Sequence, residues 1–286
     1  MAASSRWCFI VAFGMTAVGP AAGVAQTPEL GWSYSAQLTA VWAGGNSESR
    51  TVGLGSTLRR LGENNEVKVE AGGVRSDASL KTRRAVGTAA SFRIEEEEDE
   101  RKTAELYFAR GRYDRTIGNG FVVFSGVDWV RNTFAGIDSR FLLAAGAGRR
   151  WVQSDDFRFK TDLAATYSFQ EDVVENPFVK SSFPGVRFSW DLMRTLTSTT
   201  KWESALISDL NLDETDDVRV DFNNAASVTV SDRVALKPGL QLLWRNQPSL
   251  TKLDLFTVTG APTGQSVLEP LEKLDSFFTL ALVVTL

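Results

Sequence analysis

The chain has 286 residues, with 31 basic and 35 acidic side chains, a net charge of −4 and no histidine. The nearly balanced charge gives no electrostatic footprint for nucleic acid, so we expect no nucleic-acid partner. The absence of histidine removes the most common general base and metal ligand, which excludes serine–histidine hydrolysis, histidine-bound zinc and histidine-ligated haem.

Residues 1–25 have the pattern of a secretory signal peptide. Arg6 provides the positively charged start, residues 7–18 form a short apolar segment, and small residues follow. The apolar segment is shorter than the ~20 residues that a membrane-spanning helix needs. We expect cleavage after Ala25 and a single domain over residues 26–286.

The rest of the chain repeatedly alternates apolar and polar residues, which is the pattern of a strand with two unlike faces. In residues 157–170, for example, Phe157 and Phe159 alternate with Arg158 and Lys160. The pattern predicts about twelve strands of roughly ten residues each. The predicted strands are 32–43, 50–61, 65–75, 101–115, 120–132, 139–152, 157–170, 184–195, 199–211, 217–230, 234–245 and 275–286.

The strand at 101–115 departs from simple alternation. Leu106 and Phe108 share parity with Arg110, Arg112 and Asp114. We therefore expect a bulge or a change of register inside this strand.

The predicted connections alternate between short and long, which is typical of outer-membrane barrels. The short ones are Gly62-Glu63-Asn64, Gly118-Asn119, Ser154-Asp155, Thr197-Ser198 and Ser231-Asp232. The mostly longer ones are 44–49, 76–100, 133–138, 171–183, 212–216 and 246–274. An acidic run from Glu95 to Glu100 is interpreted as a solvated loop tip rather than a cation site.

The composition of the two faces predicts which one points outward. The polar face mixes charges of both signs with small residues, and twelve strands enclose a bore too wide for apolar side chains to fill. Tryptophan and tyrosine near strand ends suit two interfacial girdles. We predict an all-β, antiparallel, up-and-down transmembrane barrel closed by pairing of its first and last strands. A secreted β-sandwich or a soluble lipid-carrying barrel is the alternative.

Two sets of side chains follow from this assignment. The candidate lumen-lining charges are Glu66, Lys68, Glu70, Asp114, Asp128, Arg150, Arg158, Lys160, Asp162, Arg187, Asp191, Lys201, Glu203, Asp209, Arg219, Asp221 and Lys237. The candidate lipid-facing or girdle side chains are Trp32, Tyr34, Trp42, Trp129, Trp151, Phe157, Phe159, Tyr167, Phe188, Trp190, Trp202, Phe222, Trp244 and Phe278.

Nothing in the sequence indicates catalysis. The pairs Asp155-Asp156 and Asp216-Asp217 fall at predicted turns, where aspartate bonds to the backbone. No glycine-rich phosphate loop, zinc spacing or calcium loop is present, so we expect no cofactor, no metal and no enzymatic activity. Asp114 either belongs to an ion-pair network that constricts a lumen or ties its strand to the adjacent turn.

Three short motifs carry a family resemblance: Gly45-Asn46-Ser47 after the first aromatic strand, Arg112-Tyr113-Asp114-Arg115 before a short turn, and Phe134-Ala135-Gly136-Ile137-Asp138 before a glycine-rich strand. With them the chain resembles the salt-induced outer-membrane proteins, a bacterial family of otherwise unknown function. The resemblance covers most of residues 31–286. The long 76–100 segment and the non-aromatic final residue, Leu286, depart from the expected pattern.

The residues and the resemblance together predict a monomeric outer-membrane protein, for passive permeation of small solutes or for envelope maintenance under osmotic stress. Its expected partners are outer-membrane lipid and lipopolysaccharide, and the barrel-assembly machinery, which would read the C-terminal strand. The alternative is a binding or adhesion scaffold that uses the loops 76–100 and 246–274.

Overall fold

A computed structural model describes residues 30–43, 47–88, 91–176, 180–257 and 261–285. For strand residues 40–43, 47–49, 78–88, 91–104, 256 and 285 it describes the backbone alone. The expected signal peptide and its cleavage site at Ala25 lie outside the described residues.

Strands make up nearly all of the described chain. They are β1 (Gly31–Ala43), β2 (Ser47–Leu61), β3 (Asn65–Thr88), β4 (Ser91–Gly118), β5 (Phe121–Asn132), β6 (Ile137–Gln153), β7 (Phe157–Asp172), β8 (Ser182–Thr195), β9 (Thr200–Asn211), β10 (Val218–Ser231), β11 (Val234–Arg245), β12 (Leu250–Phe256), β13 (Pro262–Pro270) and β14 (Leu274–Thr285). A single 3₁₀ turn at Thr133–Ala135 precedes β6. Across the described ranges, no helix is both long and apolar enough to cross a membrane.

Twelve of these strands, β1–β11 and β14, form a closed antiparallel barrel in which sequence neighbours pair. The last strand, β14, pairs with β11 on one side and with β1 on the other. The pairing of β1 with β14 joins Ser35–Leu38 to Leu282–Thr285. The predicted all-β, twelve-strand antiparallel barrel, closed by its first and last strands, is confirmed.

The two faces of the barrel wall differ because side chains alternate along each strand. On β7, Leu163 and Phe169 point outward and are 59% and 48% exposed, whereas the intervening Asp162 and Ser168 point inward and are buried. On β14, Phe278 and Leu282 are exposed, and Thr279 and Val283 are buried. The outer surface is therefore apolar and the interior predominantly polar.

Tight connections lie at one end of the barrel, which we call the short-turn end, and the longer ones lie at the opposite, long-loop end. The β4–β5 turn shows why so few residues suffice. Asn119 and Gly120 both have positive φ, 50° and 78°, the geometry of a two-residue hairpin turn. A Cβ on Gly120 would lie 2.6 Å from the Arg150 carbonyl oxygen, so glycine is required there.

The predicted loop at 76–100 is wrong: β3 and β4 continue through it as a paired hairpin, with Leu80 opposite Asp99 and Thr88 opposite Ser91. The acidic run lies in β4 rather than at a loop tip. The register sets Lys81 opposite Glu98 and Arg84 opposite Glu95, and opposite charges across strands favour pairing. Alternation missed this extension because residues 76–100 are mostly charged or small.

The predicted loop at 246–274 is also wrong in part. It contains β12 and β13, which pair with each other in a separate two-stranded sheet. We call this element the β12–β13 ribbon. Pro262 and Pro270 begin and end β13, where a missing N–H is tolerated. The remaining strand bounds differ from the predicted ones by at most three residues.

The predicted irregularity inside the fourth strand is confirmed, but it does not move Leu106 and Phe108 to the outer face. A register shift falls at Thr103, between the pairs Ser76–Ala104 and Asp77–Lys102. Pairing is regular from Ala104 to Thr116, so Leu106 and Phe108 share the inner face with Arg112. Leu106 packs against Val74 and Val130 as an apolar patch within the lumen.

Candidate functional site

Charged side chains from β3–β11 line the lumen. The seventeen candidate lumen charges all lie at inner-face positions of β3–β11. Among the ion pairs described in the lumen, the sequence-based set omitted Arg59, Arg112, Arg140, Asp217 and Arg245. Alternation could have found Arg59 and Arg140, which share parity with inward neighbours on their strands.

A first network, which we call the Arg112 quartet, joins two cations and two carboxylates from β4 and β7. Arg112 Nη2 lies 2.8 Å from Asp114 Oδ1 and 2.8 Å from Asp162 Oδ2. Lys160 Nζ lies 3.2 Å from each of the same two carboxylates. The Arg112 guanidinium also lies 3.8 Å from the centroid of the Phe124 ring.

The quartet decides between the two interpretations of Asp114. Its carboxylate is bound by side chains of both β4 and β7, and two further strands, β5 and β6, separate these in the barrel order. Asp114 therefore belongs to a lumen ion-pair network. Breaking such a network is costly, because an enclosed charge left without its partner has lost its hydration.

A second network, the Arg187 network, lies farther from the short-turn end. Arg187 donates to both oxygens of Asp209, at 2.7 and 3.0 Å, and binds Asp128 through Nη1. Arg140 Nη2 donates to Asp209 Oδ2 at 3.2 Å. These four side chains come from β5, β6, β8 and β9, so the network cross-links strands that are not neighbours in the sheet.

A third network closes around Asp217, just before β10 at the long-loop end. Arg219 donates to both carboxylate oxygens, at 3.0 and 2.6 Å, and Arg245 donates to Oδ1 at 3.3 Å. Arg245 also donates to Ser249 Oγ at 2.7 Å. Burial raises the pKa of Asp217, but Arg219 and Arg245 outweigh it and hold that pKa below its usual value.

The two carboxylate pairs at predicted turns have different surroundings. Asp217 is enclosed by arginines. Asp155 and Asp156 lie in the exposed connection between β6 and β7. Within the described part of the chain, no group of three or more Asp, Glu, Cys or His side chains is placed to hold a metal ion.

A cavity of about 410 Å³ occupies the short-turn end of the lumen. It reaches from the β2–β3 turn at Gly62 inward to Ala225 on β10, and the Arg112 quartet forms part of its wall. Arg158, Asp191 and Lys201 also line it. The Arg187 and Asp217 networks lie beyond it, so this lumen combines an accessible chamber with an ion-paired barrier.

The predicted aromatic side chains lie on the outer face at several levels of the wall. Trp32, Trp151 and Trp202 lie near the short-turn end, and Trp129 and Trp244 lie near the long-loop end. The other described members of the set are Tyr34, Phe157, Phe159, Tyr167, Phe188, Trp190, Phe222 and Phe278. Trp190 lies at mid-barrel, edge-to-face against Phe222, with ring centroids 6.3 Å apart. The side chain of Trp42 lies outside the described set.

The chain matches the protein family described as "Protein of unknown function, DUF481" over residues 36–259. No curated protein matches it.

Several solved structures are similar to this chain at low identity. A bacterial polysaccharide outer membrane secretin has 9% identity and a TM-score of 0.39, covering 91% of this chain and 99% of that one. The anion-selective porin from Comamonas acidovorans has 10% identity and a TM-score of 0.38, covering 89% and 98%. The translocator domain of autotransporter NalP from Neisseria meningitidis has 12% identity and a TM-score of 0.35, covering 89% and 86%. Likeness at this level carries no function over to this chain.

Proposed function

The chain belongs to the DUF481 family, and from that premise we propose that it is a non-enzymatic outer-membrane barrel that forms a narrow passive pore for small solutes. The observation that carries the proposal is the contrast between the two faces of the wall. Large apolar side chains such as Trp32, Leu163 and Phe278 are 65%, 59% and 57% exposed on the outside.

Such a surface favours hydrocarbon as its surroundings. Leaving apolar area in water costs about 25 cal/mol per Å², whereas acyl chains solvate it without that cost. In the described wall every strand pairs with a strand on each side, although the seam between β1 and β14 is short, and such closure limits the unpaired backbone that lipid meets. The partners that follow are outer-membrane lipid and lipopolysaccharide, and the assembly machinery that would take up the C-terminal strand. A monomer suffices for this arrangement.

Membrane fractionation and gel migration test the location. We expect the chain in the outer-membrane fraction, with faster migration unheated than boiled, because a closed barrel resists detergent unfolding. Recovery from the soluble periplasmic fraction would reject the proposal in favour of a soluble barrel.

The pore is narrow because ion pairs cross the lumen in at least three places. The Arg112 quartet and the Arg187 network each join strands from different parts of the wall. Planar-bilayer recording of the refolded protein tests this. We expect small conductance steps, well below those of an open general porin, and the complete absence of steps at any voltage would reject the pore.

We also propose that the protein acts under osmotic stress, and the resemblance to the salt-induced outer-membrane proteins supports this role. A deletion strain grown at low and at high salt tests it. We expect a growth defect in high salt that the plasmid-borne gene restores, and equal growth of both strains would remove this role while leaving the pore intact.

A second candidate, a surface-binding scaffold, is favoured by one observation. The β12–β13 ribbon exposes Leu253, Leu255, Val267 and Leu268 by 38–48% outside the barrel, and exposed apolar side chains mark contact surfaces. Replacing residues 250–270 with a short glycine–serine linker tests it. Unchanged adhesion to surfaces and cells would exclude this function.

A further inference from the structure

The cavity at the short-turn end has walls rich in charge, and most of its acids are already bound. Seven basic and five acidic side chains line it. Glu66 is paired with Arg59, Asp114 belongs to the Arg112 quartet, and Glu203 is paired with Lys237. A ligand entering the cavity therefore meets few unengaged carboxylates.

Two cations in the same wall, Arg158 and Lys201, differ from the others in lacking a described ion-pair partner. In the described part of the chain, neither makes an ion pair within 4 Å or a side-chain hydrogen bond. Asp155 on the neighbouring turn attracts both, but it is exposed and pairs with neither. Arg158 is repelled by Arg59 and attracted by Glu66, and Lys201 is repelled by Arg158 and attracted by Glu203.

The strand register brings these two cations to one side of the cavity. Arg158 on β7 pairs with Met193 on β8, and Met193 pairs with Glu203 on β9. Lys201 lies two residues before Glu203 on the same face of β9. Two strand spacings across the sheet and two residues along β9 separate their backbones by about 12 Å, a distance that two long side chains bridge when both bind one ligand.

The remaining unpaired acid in the chamber lies among other cations. Asp191 is opposite Lys160 in the β7–β8 register, and it is attracted by Lys160 and Lys68. Glu63 lies on the exposed β2–β3 turn at the rim. Glu66 and Glu203 attract Arg158 and Lys201 from beyond 4 Å, but each is already paired with another cation, Arg59 or Lys237. The region between Arg158 and Lys201 therefore remains locally positive.

We propose that this cavity binds a compact anion bearing phosphate or carboxylate oxygens, held between Arg158 and Lys201. The anion relieves the repulsion between the two cations and gains charge-assisted hydrogen bonds from both. The guanidinium offers a planar fork for two oxygens, and the ammonium offers a point charge. This goes beyond the pore, since binding needs only the chamber and no passage through the ion-paired barrier.

Isothermal titration of the refolded wild-type barrel in detergent at low salt, with inorganic phosphate and with citrate in separate arms, tests the site. We expect saturable binding of at least one anion, and the two arms distinguish phosphate from carboxylate chemistry. In the double variant Arg158→Gln/Lys201→Gln, affinity should fall by at least about tenfold, in line with the loss of two charge-assisted bonds.

The matched control is Lys180→Gln/Lys252→Gln, which removes the same total charge from exposed positions outside the cavity. Its affinity should equal that of the wild type, and heat-modifiable migration verifies that every variant is folded. Absence of saturable binding by the wild type, or equal affinity in the cavity and control variants, would overturn the site. Because titration measures no current, failure of the site and failure of the pore are observed separately.

Discussion

At the residue scale, Asp162 is the most enclosed member of the Arg112 quartet, with a side chain only 2% exposed. Asp162→Asn removes one of two carboxylates that balance Arg112 and Lys160, and leaves the cations short of a counter-charge. We expect the free energy of unfolding to fall by about 2–4 kcal/mol, measured by urea titration in lipid vesicles.

The control for this change is Asp138→Asn. Asp138 pairs with Arg131 at 2.9 Å, but both side chains are about 40% exposed. Exposed pairs contribute at most about 1 kcal/mol, so the control should change stability little. Equal effects of the two substitutions would show that the quartet is as solvated as the surface pair.

Asp217 gives a prediction about pH. Its folded pKa is held below the usual value by Arg219 and Arg245, against the opposing effect of burial. Its stabilising contribution is complete above the unfolded pKa, near 3.9, and is lost as the pH falls through the lower folded value. The wild type should therefore lose more stability between pH 6 and pH 2.5 than Asp217→Asn does. Parallel urea titrations measure the difference, and identical acid losses would contradict the assignment.

At the element scale, the extension of β3 and β4 beyond the barrel is predicted to be dispensable for folding. The pairing of β2 with β3 ends at Leu80, so residues 81–98 pair only within their own hairpin. Replacing residues 82–97 with Asn-Gly should leave the heat-modifiable shift intact, because no barrel pair is removed.

A deletion of equal size within the wall is the control. Removing residues 66–73 together with 107–114 takes out the same number of residues from pairs that belong to the barrel. This change should abolish the shift. Loss of the shift on trimming the extension would mean that the extension takes part in barrel formation.

At the scale of the whole molecule, a single substitution can test whether lipid or water surrounds the barrel wall. Leu163 points outward near the middle of β7 and is 59% exposed. An arginine facing the middle of a bilayer costs about 2–4 kcal/mol, so Leu163→Arg should weaken folding into vesicles by this amount. Leu253→Arg on the β12–β13 ribbon makes the same exchange outside the barrel and should have little effect. Equal effects would argue against an apolar surrounding for the wall.

The accuracy of the predictions made from the sequence differs between strands, lumen residues and loops. Alternation located β7, β10 and β11 within two residues, because each strand buries one face and exposes the other. The same signal placed Arg158, Asp162 and Arg187 together on the inner face. Arg59 and Arg140 follow the same signal, since they share parity with inward neighbours, but they were not among the predicted lumen charges. Alternation did not indicate the β12–β13 ribbon, whose side chains are mostly exposed on both faces.

The sequence alone determined that strands have one apolar and one polar face, how many of them form the wall, and that histidine-based chemistry is excluded. Only the tertiary structure decided which charges meet. Arg187 on β8 joins Asp128 on β5 to Asp209 on β9, while Arg158 and Lys201 line the cavity without an ion-pair partner among the described residues. The physical reason is that alternation is a local property of one strand. The meeting of two side chains across a lumen depends on the stagger of all the strands around the closed barrel.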